Sequence, residues 1–153
     1  MLGQLLPSRL DNAYDGSRVA PWLLGIVLTI KLLQSVVSIF FGASVASSAD
    51  GIPLDTYTPA GAQTIIAMFA LLGVARLPFY ALCVLALARY RSAVPLMLAL
   101  FSLDYVVRSL VLLYVPIERT GAAGGLVVNQ VLFALMVVGL VLSLRRRGGA
   151  LPA

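Results

Sequence analysis

Four stretches of this chain stay apolar for about 20 residues or more, the length a helix needs to cross the hydrocarbon core of a bilayer. They run from Val19 to Ala46, Ala62 to Ala88, Ala93 to Val115 and Leu126 to Leu144. Polar and turn-forming residues separate them. Asp50-Gly51-Ile52-Pro53 through Pro59-Ala60-Gly61 forms the first connector, Arg89-Tyr90-Arg91-Ser92 the second, and Pro116 to Gly125 the third. The expected fold is therefore all-α: a polytopic membrane protein built as a four-transmembrane-helix bundle in one domain spanning residues 1–153. A short segment, 1–18, precedes the first span, and a basic tail, 145–153, follows the last.

Composition agrees with this reading. Of 153 residues, 61% are hydrophobic and 11% charged, whereas a soluble domain carries about 25% charged residues to cover its surface. One membrane domain uses up the chain and leaves no length for a soluble catalytic domain. Lys and Arg outside the spans then set the orientation. Arg9, Arg18, Arg89, Arg91, Arg145, Arg146 and Arg147 fall on one side; the other side holds Arg119, and its first connector has Asp50 and Asp55 with no base. By the positive-inside rule both termini are cytoplasmic. The first apolar run is long, begins near residue 19 and contains Lys31, so it reads as a span rather than a removable signal. Leu2, Leu5, Leu6 and Leu10 fit one face of a short interfacial helix, or equally a frayed tail.

Several chemistries are excluded by residue type. There is no histidine and a single cysteine, Cys83, which removes imidazole acid–base catalysis, His-ligated metal or haem, internal disulfides and CxxC redox pairs. No metal site and no cofactor is expected. The glycines of 121–125 match neither GxxxxGK[ST] nor GxGxxG. The two carboxylates of the first connector do not make an EF-hand loop. Three clustered arginines after the last span form too small a footprint for nucleic acid, and they suit anionic lipid instead.

The informative residues are charges inside the spans: Lys31, Arg76, Asp104 and Arg108. Each costs about 2.5–3.5 kcal/mol at the bilayer centre and needs a partner or a wet cavity. At about 1.5 Å rise per residue, charges from three different helices fall into one slab near the midplane. On the first helix Lys31, Gln34, Ser35, Ser38, Gly42 and Ala46 follow at three- and four-residue steps, a polar and small stripe whose Ser38, Gly42 and Ala46 suit close helix packing. On the second, Gly73, Arg76, Tyr80 and Cys83 share a face. On the third, Asp104 and Arg108 stand at i and i+4, the spacing of an ion pair. Pro78, two residues beyond Arg76, predicts a kink that frees the Val74 carbonyl. Asn129 and Gln130 are expected to make interhelical hydrogen bonds.

Three bases against one acid leave an excess of positive charge in the membrane. Two functional readings follow. The first is a non-catalytic accessory subunit or self-associating bundle that packs with other membrane subunits or itself among membrane lipids, with Asp50, Asp55 and Tyr57 in a partner-docking loop. The second is a small carrier or channel for an anion or anionic amphiphile, using Arg76 and Lys31. The first helix has no carboxylate of the kind that drives proton-coupled cation export. An enzyme would have to work with Asp104, Tyr80 or Tyr105, and Arg76, with no histidine; none is expected. Compact connectors and an arginine-rich, lysine-poor composition suit a bacterial inner membrane.

Overall fold

The computed structural model describes residue 5, residues 9–120 and residues 124–145. Within them stand four long helices: α1 (Val19–Phe40), α2 (Pro59–Ala88), α3 (Val94–Tyr114) and α4 (Gly124–Leu144). All four are long and apolar enough to cross a membrane. Leu2 and Leu6 of the proposed interfacial helix, Gly121 to Ala123 and the tail bases Arg146 and Arg147 lie outside the described residues.

The helix ends follow local chemistry. Ser17 starts α1: its hydroxyl accepts from the Val19 amide and its carbonyl from Ala20. Thr58 caps α2 by accepting from the Gly61 amide at 3.2 Å, with Pro59 at the first helical position, where a missing N–H costs nothing. Pro95 occupies the equivalent first turn of α3. Four hydroxyls within the spans are satisfied locally. Thr29, Ser38, Ser102 and Ser109 each donate to the carbonyl four residues back, as expected where lipid offers no water.

One sequence expectation needs correction. The first apolar run is not one helix to Ala46. It stops at Phe40, Phe41 leaves helical geometry (φ −127°, ψ 38°), and the chain resumes as a short helical turn, Gly42–Ser44, and a π-helical turn, Val45–Ala49. Such wide turns relieve a helix that has to bend. Conversely, α2 runs without interruption from Pro59 through Pro78 to Ala88. Pro78 is exposed on its outer face, so the ring meets lipid rather than a neighbouring helix.

The helices form a ring in which α1 packs against α2 and α4, and α4 against α3, while the α2–α3 seam is thinner. Gly73 sets the α1–α2 approach. A Cβ there would stand 2.8 Å from both the Ser35 carbonyl oxygen and Ile39 Cγ1. Gly42 and Ala46 of the small-residue stripe are buried beside it, Gly42 against Ile66 of α2.

The tightly packed core is confined to one end of the bundle. Leu24, Val27 and Leu28 of α1, Cys83 of α2, Val94 and Leu98 of α3 and Met136 of α4 are all buried there. They belong to the first half of α1 and α3 and the second half of α2 and α4, the end at which α1 starts and α4 finishes. Cys83 is a packing residue in this core. Residues 9–17 cross this end as a strap. Ser92 Oγ accepts from the Asp11 amide and donates to the Asp11 carbonyl, and the Ser17 amide donates to the Leu142 carbonyl. Tyr14 folds over Gly16, where burial pushes its phenol up to about 12. The opposite end is closed by the Asp50–Thr58 connector. Gly51, at φ 70°, turns the chain so that Ile52 is buried and the Gly51 carbonyl accepts from the Thr120 amide.

Candidate functional site

The half of the bundle opposite the packed core holds the intramembrane charges and three cavities that they line. Lys31 projects from the middle of α1 and is 9% exposed. Its Nζ donates to Asn129 Oδ1 on α4 at 2.7 Å. Asn129 thus supplies the interhelical bond expected of it, while its neighbour Gln130 is exposed. Of the four intramembrane charges, only Lys31 makes a side-chain hydrogen bond among the described residues.

Arg76 of α2 and Asp104 of α3 border a cavity of about 470 Å³ in the thin α2–α3 seam, together with Lys31. Arg76 also borders a second cavity, about 310 Å³, between α1, α2 and the loop end, lined by Gln34, Ser38, Asp50, Arg108 and Asn129. A third space of about 40 Å³ lies towards α4, where Lys31, Asp104 and Arg108 meet Asp50 and Arg119. The three share their polar walls. The four charges that the sequence placed in one slab therefore line three adjacent cavities, with Gln34 on the wall of one.

The i, i+4 pair behaves differently from expectation. Among the described residues no Lys or Arg nitrogen comes within 4.0 Å of a carboxylate oxygen. Asp104 is exposed on the seam, while Arg108, one turn on, is half-buried and shares its cavity with Asp50. The helical spacing permits a pair but does not impose one, because rotamers can turn the two side chains apart. Adding the rim residues Asp50 and Arg119 brings one more charge of each sign and leaves the positive excess unchanged.

Aromatic rings floor the hollow. Phe79 meets Phe101 edge-on at 4.8 Å between centroids, and Tyr80 stacks on Phe101 at 5.9 Å. Tyr105 stacks on Phe133 at 4.4 Å. Below this layer begins the tightly packed core. Tyr80 is buried at 3% exposure, and so serves as floor more than as a free hydroxyl. Ser35, beside it on α1, is buried with an Oγ that makes no hydrogen bond among the described residues.

The first connector splits in two. Asp50 is half-buried and turns into the hollow, with a carboxylate oxygen 3.3 Å from where a Cβ on Gly125 would stand. Asp55 and Tyr57 are exposed on the short helical turn Leu54–Thr56 and just after it. Three members of the site escape sequence reasoning: Asp50 as a wall of the hollow, Arg119 at its rim, and the pairing of Lys31 with Asn129. Only Asn129 carries a signal, a polar residue in an otherwise apolar span; the other two depend on how the connectors fold back.

The arrangement has few means to do covalent chemistry. It offers guanidinium and ammonium donors, an aromatic floor and one exposed carboxylate. No group of three or more His, Cys, Asp or Glu side chains able to hold a metal occurs among the described residues. What it can do is bind: two arginines and a lysine on three helices converge on a hollow with both polar and apolar walls. No protein-family model, curated protein or solved structure matches the chain.

Proposed function

We propose that this is a small, non-catalytic integral membrane protein that binds an anionic amphiphile in the half-membrane hollow and acts as a carrier for it. One observation supports this above all: Lys31, Arg76 and Arg108, from three helices, border adjacent cavities and form no ion pair among the described residues. Arginine stays charged in any environment, and an unpaired guanidinium in the bilayer is costly. An anionic headgroup between Arg76 and Arg108 neutralises the excess, and the apolar side of the seam, with Phe79, Leu103 and Val107, accommodates a hydrocarbon tail. Its compact connectors and arginine-rich, lysine-poor composition suit a bacterial inner membrane, and its basic flanks put both termini in the cytoplasm, so that the hollow opens on the external half.

The test uses alkyl phosphates, alkyl sulfates and fatty carboxylates of one chain length against neutral and trimethylammonium analogues. In detergent solution the anionic members raise the unfolding temperature of the wild type, and Arg76→Gln removes that gain. In liposomes, Arg76→Gln abolishes flux of the same anions. Stabilisation that is equal for all headgroup charges defeats the proposal.

A second reading keeps the protein as a subunit of a larger assembly or of a homo-oligomer. The observation that favours it is the exposed midplane carboxylate of Asp104, which a basic residue from a neighbouring chain could neutralise. The native mass of the protein extracted gently from its membrane distinguishes the two. Under this reading it is a stoichiometric complex that Asp104→Asn disperses; a monomer in both forms rejects it.

A further inference from the structure

A groove of about 870 Å³, larger than any of the charged cavities, lies at the packed end, between the strap, the start of α1 and the turn after α2. Arg18 and Arg91 stand at its mouth, both exposed. Its wall runs down α1 past Trp22 and Gly25 to Ile30. Trp22 is 76% exposed, the position of an interfacial anchor. Gly25 leaves the wall open: a Cβ there would meet only Leu87 Cδ1, at 4.0 Å. From Arg18 to Ile30 the groove descends about 18 Å at 1.5 Å per residue, to near the middle of a hydrocarbon core about 30 Å thick.

We infer that this groove is a binding site for one anionic phospholipid, its phosphate held by Arg18 and Arg91 and one acyl chain lying along Gly25 and Ile26. Charge complementarity selects the headgroup. The acids nearest in sequence do not line the groove: Asp11 Oδ1 accepts from the Ala13 amide, and Asp15 is exposed on the strap. Guanidinium forks match phosphate oxygens two at a time. The depth selects a lipid over a free anion, because a soluble ion would use the mouth and leave the apolar wall empty. The site is separate from the charged hollow and does not depend on the carrier proposal.

Trp22 is the single tryptophan of the chain, so its fluorescence reads the site directly. The protein is reconstituted in phosphatidylcholine vesicles containing increasing fractions of phosphatidylglycerol or phosphatidylcholine with brominated acyl chains. The wild type is half-quenched at a phosphatidylglycerol fraction about five-fold below that for phosphatidylcholine. Arg18→Gln and Arg91→Gln each lose most of that preference, in keeping with the worth of one base near an anionic leaflet. Gly25→Leu fills the wall without altering charge and also lowers it. Arg89→Gln, an exposed base at the same end but outside the groove, keeps it. Equal quenching of the wild type by both lipids overturns the inference, as does an Arg89→Gln loss as large as those of Arg18→Gln and Arg91→Gln. Loss of the preference in excess inorganic phosphate assigns the mouth to a free anion and overturns the lipid. Should an arginine variant fold poorly, the wild-type comparison and Gly25→Leu decide.

Discussion

Among the described residues Lys31 is the one intramembrane charge with a direct partner, and that partner is an amide rather than a carboxylate. A neutral acceptor answers one ammonium proton and leaves the charge itself unbalanced. Asn129→Leu strands a buried donor, and the expected cost is about 1–3 kcal/mol of unfolding free energy. Removing both partners in Lys31→Met/Asn129→Leu recovers much of that, because matched apolar groups need no hydrogen bond. A double-mutant cycle from denaturation in mixed micelles checks this; equal Asn129→Leu costs with Lys31 and with Met at position 31 would refute it. That Lys31, Arg76, Asp104 and Arg108 lie at similar depth was legible in the sequence, since depth follows from residue count along a helix. Who pairs with whom was not. Rotamers and the fold-back of Asp50 and Arg119 decide it, and neither leaves a periodic trace.

The boundaries of α2, α3 and α4 follow from apolar run length and from Thr58-Pro59, Pro95 and the arginines at the turns, all visible as residues. The break at Phe41 is different. Gly42 directly follows it, but a lone glycine in an apolar run also serves close packing, as Gly42 does against Ile66 of α2. The strap of residues 9–17 was equally hidden: its anchors are backbone groups that meet Ser92 and Leu142 across the bundle. The α1–α2 contact has its own test. Gly73→Ala drives a Cβ to within 2.8 Å of the Ser35 backbone oxygen, which cannot swing aside, and overpacking of this kind costs about 1–3 kcal/mol. Gly25→Ala on α1 has open space and changes stability by less than about 0.5 kcal/mol. Thermal unfolding of the two variants side by side checks the contrast. Equal stability would mean that α1 and α2 are not held at the distance seen here.

The molecule is built in two unlike halves, and this asymmetry is what the functional proposal requires. In lipid, helices associate through packing and polar contacts rather than through hydrophobic exclusion. The close-packed end, from Leu24 to Met136, can thus hold the bundle together while the other end keeps hollows such as the one lined by Gln34, Arg76, Arg108 and Asn129. Charged walls keep such hollows wet, and a wet hollow admits a soluble reagent. With Cys83 replaced by Ala, single cysteines at Gln34 and Ser109 should react with a membrane-impermeant maleimide added from the loop side. Those at Ala20 and Ser143, buried at the packed end, should react at least about tenfold more slowly, since only an accessible thiolate is a nucleophile. A preloaded alkyl phosphate should slow labelling at Gln34 by occupying the same space. If all four positions are protected alike, the hollow is filled by protein or lipid; the charges are then structural, and the subunit reading built on Asp104 replaces the carrier.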